Sequence, residues 1–191
     1  MKAKRKKPNK ANIRTVLKKC NEYGIHLPTQ IQYILATVLH ETAGTFNPIK
    51  EYGGRKYFER KYDPIKASTL ALRERAVIMG NTSIGDGAKY CGRGYVQLTW
   101  KSNYQKMSDV LGIDFVSNPS LVLDSNIAAD ILIIGMRDGL FTGKCLDDYI
   151  TCDKCDFLGA RRIINGKDRR NKIALLALSL NPENGEVIYA T

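Results

Sequence analysis

The sequence has few of the residues that mark metalloproteins and disulfide-stapled secreted domains. It contains only two histidines, His26 and His40, and five cysteines, an odd number without the spacing of a disulfide framework. Cys152 and Cys155 have the spacing of half a zinc knuckle, and a structural zinc would need two further ligands, of which Cys145 could supply one. The alternative, which we favour, is that these three are incidental free thiols. We predict no metal and no cofactor.

Long apolar runs are also missing. The longest, residues 33–39 and 131–134, fall far short of the ~20 residues that a membrane-spanning helix requires. The basic start, residues 1–7, is followed by polar sequence where a signal peptide has its apolar segment. We therefore expect no membrane span and no export signal, and we expect the protein to accumulate in the cytoplasm.

Acidic residues are scarce relative to basic ones, which leaves a net charge of +11. Such a balance suits a polyanion, whether nucleic acid, anionic lipid or an anionic polymer such as cell wall, and a solvated basic face is the simpler alternative. Residues 1–10 are Lys-rich and nearly devoid of apolar side chains, which predicts a basic flexible arm. Residues 11–191 suffice for a single compact domain.

Periodicity predicts a mainly α fold with little or no β-sheet and no internal repeat. Apolar residues recur at helical spacing in residues 28–44, and they lie on nearly all faces of residues 125–136, which indicates a buried helix. Residues 46–63 are rich in Gly, Tyr and basic residues, and we interpret them as a loop with a short hairpin. Residues 95–100 alternate, as in a short strand or a buried extended segment.

Glu41 is the first candidate for chemistry. It lies in the last turn of the apolar helix, next to His40 and a break at Gly44. Partial desolvation and the negative end of the helix dipole both favour its protonated form, which is what a departing glycosidic oxygen needs. An ordinary helix-end glutamate that points into water is the alternative, and these residues alone favour it.

A second carboxylate is required if Glu41 is a glycosidase acid, because these enzymes use a carboxylate pair. Glu51 follows ten residues later in a loop that can fold back toward the helix end. Glu59 lies in the same loop and is its rival. Spacing alone does not decide between them.

The segment from Gly92 to Asn103 carries neutral polar groups beside glycines that permit close backbone approach. Gln97, Thr99 and Asn103 offer donors and acceptors for sugar hydroxyls, acetamido groups or a positioned water. Tyr95, Trp100 and Tyr104 are candidates for packing on sugar faces and equally for the core.

Further along the chain, Arg161 and Arg162 lie on a predicted helix that ends in the turn at Asn165. The two arginines could line a groove, and the equally good alternative is that both are solvated on the surface.

Taken in chain order, five segments resemble glycoside hydrolase family 19, the group of chitinases and phage endolysins, over residues 28–178. They are His40-Glu41-Thr-Ala-Gly44, Gly80-Asn81 with Gly85-Asp-Gly87, Gly92-Arg-Gly-Tyr-Val-Gln-Leu-Thr99, Gly135-Met-Arg-Asp-Gly-Leu-Phe-Thr-Gly143 and Ala160-Arg-Arg-Ile-Ile-Asn-Gly166. Their joint occurrence is specific and outweighs the simpler alternatives above. Cys91 and the cysteines of residues 145–155 depart from the family pattern.

The resemblance implies a lysozyme-like, bilobal α domain with a central cleft. It implies that Glu41 is the general acid, that Glu51 is the second carboxylate and that Thr99 helps to hold the catalytic water. It further implies sugar-binding roles, for His40, Tyr95, Gln97, Trp100, Asn103, Arg162 and Asn165, with Arg162 also supporting the carboxylates. The loop that follows Glu51 is the least certain part of the match, so the choice between Glu51 and Glu59 stays open.

The implied reaction is inverting hydrolysis of a β-1,4 bond in peptidoglycan or chitin. We favour peptidoglycan, because the basic surface suits an anionic wall and because a short domain with a cationic arm resembles an endolysin that reaches the wall after release. The arm then contacts the wall or the membrane, the protein is a monomer, and no nucleic acid is expected. A catalytically inactive wall-binding protein is the alternative of another class.

Overall fold

The computed structural model describes residues 7–186. This part contains eight α-helices, three short 3-10 helices and one antiparallel sheet of two strands. The elements are α1 Lys10–Glu22, α2 Pro28–Glu41, β1 Ile49–Lys50, α3 Arg55–Tyr62, α4 Leu70–Ile78, α5 Asp86–Lys89, β2 Arg93–Gly94, α6 Lys101–Leu111, α7 Ser125–Arg137 and α8 Arg170–Leu178. The prediction of a mainly α chain with little sheet is confirmed.

The chain divides into two compact units. Unit 1 comprises the described residues up to Asn47 and from Ala128 onward, and unit 2 comprises Pro48–Ile127. The division falls near the start of α7. The predicted cleft and the assignment of residues 11–191 to a single catalytic domain stay predictions.

Unit 1 is built on α2, which packs against α1 and α8. Pro28 begins α2, because a proline at the first helical position loses no helical hydrogen bond. Its residues Tyr33–Val38 are all buried. In α7, Ala128–Met136 are almost continuously buried, as the apolar residues on nearly all its faces predicted.

The start of α1 shortens the predicted basic arm. Residues 1–6 of that arm lie outside the described residues. The Asn9 side chain caps α1 by accepting hydrogen bonds from the backbone N–H groups of Ala11 and Asn12, and the Asn9 backbone donates to Thr45 at 2.8 Å. The boundary of the predicted arm therefore lies before Asn9.

Unit 2 contains a helix where the sequence predicted only loop and hairpin. β1 pairs with β2, with Ile49 opposite Gly94, but residues 55–62 form α3. Phe58 and Tyr62 stand one helical turn apart, and both are buried on the inner face of α3. The loop prediction was wrong there, because two turns of charged helix between glycines and a proline give a weak periodic signal.

Residues 95–100, predicted as a short strand or a buried extended segment, form a turn. Arg93 and Leu98 exchange backbone hydrogen bonds of 3.1 and 2.8 Å, so the chain reverses between them. Gln97 and Trp100 have positive φ angles of 53° and 79°, which alternating β-structure does not allow. The result is a tight loop that carries the side chains of Gln97 and Thr99.

No helix in residues 7–186 is long and apolar enough to cross a membrane.

Candidate active site

Glu41 is the last residue of α2, in unit 1. Its Oε1 accepts a hydrogen bond of 2.7 Å from Nη1 of Arg161, whose side chain is 4% exposed, whereas that of Glu41 is 18% exposed. A charge-assisted bond between partly desolvated groups is shorter and stronger than a neutral one. This contact engages Oε1, and Oε2 is the carboxyl oxygen that Arg161 does not bind.

The backbone that follows Glu41 is fixed by a tight helix end. Thr42 Oγ1 donates to the carbonyl of Val38 at 2.7 Å and accepts from the N–H of Phe46 at 3.0 Å. Ala43 and Phe46 both have positive φ angles, 50° and 55°. Non-glycine residues persist in that conformation only where their surroundings enforce it, and such strain is concentrated at functional sites.

Arg161 is held from a second direction, because its Nε donates to the carbonyl of Asp168 at 3.0 Å. It lies on the 3-10 helix Gly159–Ile163, which turns Arg161 inward and Arg162 outward. At Glu41 the support expected from Arg162 comes instead from Arg161, and support of Glu51 by Arg162 stays a prediction. The sequence pointed to the right dipeptide and to the wrong member of it.

His40 and Asn165 are the other predicted site residues of unit 1. His40 is half-buried, and burial lowers the pKa of its imidazole despite the opposing influence of Glu41. Asn165 is exposed, and its side-chain oxygen accepts from the N–H of Gly166 at 2.8 Å. Their sugar-binding roles stay predictions.

The two adjacent arginines provide a matched stability test. Arg161→Gln is expected to lower the free energy of unfolding by about 2 kcal/mol, less than the roughly 3–5 kcal/mol for a fully buried pair, since Glu41 is partly exposed. That corresponds to a fall in Tm of about 4–8 °C for a chain of this size. Arg162→Gln is expected to change the free energy by no more than about 0.5 kcal/mol. Thermal denaturation of both variants checks this, and equal effects would show that the Arg161 contact adds nothing.

Glu51 lies directly after β1, in unit 2, and is surrounded by hydrogen-bond donors. Its Oε1 accepts from Lys61 Nζ at 2.8 Å, and Tyr62 OH lies 3.0 Å from both carboxylate oxygens. Oε2 also accepts from the N–H of Gly92 at 3.3 Å, and Tyr57 OH lies 3.4 Å from Oε1. The Glu51 carboxylate is therefore oriented from several sides.

The pKa values of two of these donors are raised, so both keep the proton that they donate to Glu51. Burial raises the pKa of Tyr62 to about 12, so its hydroxyl keeps its proton. Burial opposes the charged form of Lys61, but hydrogen bonds to Glu51, Tyr62 and Tyr57 raise its pKa above the usual range. Neither residue was predicted as part of the site, because both come from α3, which was interpreted as loop.

Gly92 leaves a small space at which three side-chain oxygens converge. A Cβ atom added there would lie 2.9 Å from Gln97 Oε1 and 3.3 Å from both Glu51 Oε2 and Thr99 Oγ1. Any residue other than glycine would therefore crowd all three oxygens. The structure thus brings Glu51, Gln97 and Thr99 together within unit 2.

The loop contacts hold this group in place. Gln97 Nε2 donates to the backbone carbonyl of Ile49 at 3.0 Å, so its Oε1 is the end directed toward the space at Gly92. Thr99 Oγ1 donates to the carbonyl of Gln97 at 2.7 Å, and Asn103 Nδ2 donates to the carbonyl of Thr99 at 2.8 Å. Asn103 thus supports the loop, and a contact of its side chain with sugar stays a prediction.

Glu59 occupies a different environment from Glu51. Its Oε1 accepts from Arg55 Nε at 2.8 Å and from Lys66 Nζ at 3.2 Å. The guanidinium of Arg55, with Lys66, lowers the pKa of the Glu59 carboxyl. Both glutamates are ion-paired, and what favours Glu51 as the second carboxylate is that its Oε2 shares the space at Gly92 with Gln97 and Thr99.

The predicted sugar-stacking aromatics are core residues. Tyr95 is fully buried, and burial raises the pKa of its hydroxyl to about 12. Trp100 is 7% exposed and packs edge-on against Tyr62, with the ring centroids 4.9 Å apart. Tyr104 is fully buried beside Arg93. The prediction that Tyr95 and Trp100 contact sugar was wrong, because neither ring has a face open to a substrate.

The cysteines of residues 145–155 form no metal site in the part of the chain that is described. All five thiols are free, and Cys152 and Cys155 are exposed. No cluster of three or more potential His, Cys, Asp or Glu ligands occurs among residues 7–186.

The curated relatives that the chain matches are plant proteins, and the matches extend over 33 to 96 residues, which is 17 to 49% of this chain. It is 52% identical over 40 residues to Chitinase 11 of Oryza sativa subsp. japonica, which is 21% of this chain and 16% of that protein. It is 44% identical over 41 residues to Inactive chitinase-like protein 1 of Hevea brasiliensis, which is 22% of this chain and 13% of that protein.

Among solved structures, the chain is similar to chitinase C of Streptomyces griseus HUT6037, with a TM-score of 0.60 and 21% identity over 90% of this chain and 88% of that one. This likeness supports the predicted lysozyme-like, mainly α fold. The family model described as chitinase class I matches residues 28–135, which include Glu41, Glu51 and the loop of Gln97 and Thr99. The chain therefore belongs to glycoside hydrolase family 19.

Proposed function

We propose that the chain hydrolyses β-1,4 bonds of a polysaccharide that contains N-acetylglucosamine, by a single inverting displacement. The observation that carries the proposal is the convergence of oxygens from Glu51, Gln97 and Thr99 at Gly92. A water near this space would donate to Glu51 Oε2 and to Thr99 Oγ1, whose own proton is already given to the Gln97 carbonyl. Its remaining lone pair is then free to attack the sugar carbon.

Glu41 acts as the general acid in this proposal. Oε2 is the oxygen that delivers the proton, because Oε1 accepts a hydrogen bond from Arg161. As the glycosidic bond breaks, the proton moves to the leaving oxygen and Glu41 becomes negative. Arg161 then stabilises the carboxylate that forms, so the Arg161 contact favours the transfer.

Glu51 acts as the base. It takes the proton of the attacking water while Lys61 and Tyr62 hold its other contacts. Asn103 and Gln97 keep Thr99 in position through the backbone. Neither a metal nor a cofactor enters this scheme.

Peptidoglycan is the substrate that we favour, because 30 basic against 19 acidic residues suit an anionic wall. The names of the rice and Streptomyces proteins favour chitin as the alternative. As an endolysin, the protein would act as a monomer on the wall after release from the cytoplasm. The name of the Hevea protein favours a third candidate function, that of a wall-binding protein without catalysis.

Product analysis tests the reaction and the substrate together. Purified peptidoglycan and chitin oligosaccharides are incubated separately with the protein, and mass spectrometry identifies the new reducing-end sugar. We expect new ends from peptidoglycan, and NMR is expected to show the α anomer first, because single displacement inverts the β bond. Initial formation of the β anomer would contradict inversion, and absence of products from both substrates would favour the wall-binding alternative.

A further inference from the structure

Unit 2 contains a second concave site whose rim is basic. It is a cavity of about 410 Å³ with Lys50, Arg55 and Lys89 at its edge and Phe58 among its lining residues. Gly53 and Gly85 complete part of the wall. The three cations come from three separate elements, β1, α3 and α5.

No carboxylate lines this cavity in the described part of the chain. The nearest acid bonded to a rim residue is Glu59, which pairs with Arg55 and is shared with Lys66. Asp114 interacts electrostatically with Lys89 and is bonded to the Ser117 backbone. Like charges repel, so gathering three cations at one concavity has a cost that a bound anion removes.

Aromatic contacts place two of the cations. Lys50 Nζ lies 5.7 Å from the centroid of Phe58, and Lys89 Nζ lies 5.2 Å from that of Tyr90. Both distances fall in the range of cation–π attraction. The ammonium groups are thus positioned and still exposed to a ligand.

The cavity adjoins the candidate base within the same unit. Lys50 directly precedes Glu51, and the Phe58 ring stacks on Tyr62 with centroids 6.5 Å apart. Tyr62 OH in turn lies 3.0 Å from Glu51. The chain of contacts from Glu51 through Tyr62 to Phe58 thus connects the candidate base to the lining of the cavity.

We propose that this cavity is a subsite for a carboxylate on the peptide substituent of peptidoglycan, an inference that rests on the proposed function. Chitin consists of neutral N-acetylglucosamine and offers no such group, whereas the lactyl-linked peptides of peptidoglycan carry carboxylates. Lys50, Lys89 and the free Nη groups of Arg55 donate charge-assisted hydrogen bonds to that anion. The subsite thus distinguishes the two candidate glycans by charge.

A charge-matched pair of variants tests the subsite. In Lys50→Gln/Lys89→Gln, kcat/KM for peptidoglycan is expected to fall about tenfold, as the loss of charged hydrogen bonds implies, while hydrolysis of neutral chitin oligosaccharides stays within about twofold. The control Lys56→Gln/Arg60→Gln removes the same charge from exposed positions on α3 that do not line the cavity. An equal loss on both glycans, or an equal loss in the control, would overturn the subsite.

Binding measured without turnover separates this inference from the proposed function. Muramyl dipeptide is titrated into the 15N-labelled wild type, and we expect shifts of the Lys50, Gly85 and Lys89 amides that are absent with the double variant and with neutral chitotriose. Stronger binding of inorganic phosphate at the same amides would overturn the assignment to a carboxylate, as would shifts caused equally by chitotriose. If no glycan is hydrolysed but these shifts occur, the subsite stands and the enzyme proposal fails.

Discussion

Glu41→Gln is expected to lower the rate of glycan hydrolysis by about a thousandfold, within the range that general acid catalysis contributes. Glutamine has no acidic proton to give to the leaving oxygen. Its amide oxygen still accepts a hydrogen bond from Arg161, so the helix end and the 3-10 helix keep their contact. The variant therefore removes the proton donor and also the counter-charge of Arg161, so its stability is measured beside its rate.

Release of reducing ends from purified peptidoglycan and from chitin oligosaccharides measures this loss. Circular dichroism of both proteins provides the control for folding. An undiminished rate in a folded variant would remove Glu41 from the mechanism. Clearing of permeabilised Gram-negative cells by wild type and variant alike would instead indicate cationic disruption of the membrane.

The second large effect separates the two glutamates that the sequence left open. Glu51→Gln is expected to reduce hydrolysis by about a hundredfold or more, because an amide does not accept the proton of the attacking water. Glu59→Gln makes the same chemical change eight residues later, in a group that pairs with Arg55 and Lys66. We expect its rate to stay within a few-fold of the wild type.

Initial rates on one substrate, with thermal denaturation of each variant, decide between the two. A large loss of rate in Glu59→Gln at unchanged stability, with Glu51→Gln near wild type, would reverse the assignment. If both variants lose activity equally without loss of stability, neither residue is the sole base.

The sequence predicted the helices correctly where apolar residues recur at helical spacing. This holds for α2 and for the buried α7, whose side chains repeat at helical spacing. It failed at α3, because its eight residues are mostly charged and only Phe58 and Tyr62 mark the inner face. The packing of those two rings in unit 2 supplies what the local pattern lacks.

The candidate site was predicted in outline and missed in its supporting contacts. The family resemblance, and not the helix end alone, pointed to Glu41, and the glycine-rich segment offered Gln97 and Thr99 as polar candidates. The choice of Arg161 over Arg162 depends on which way a short 3-10 helix turns, and adjacent identical residues carry no information about that. Trp100 was open to two interpretations, because an aromatic side chain can pack in a core or against a sugar face.

The pairing of Glu41 with Arg161 joins residues that are 120 positions apart. Unit 1 is likewise assembled from the described residues up to Asn47 and those from Ala128 onward. During synthesis on the ribosome, Glu41 therefore has no contact with Arg161 until the segment with Arg161 and α8 has been made and has folded back. In the proposed reaction, the acid therefore gains its arginine partner only after residues 159–178 have left the ribosome.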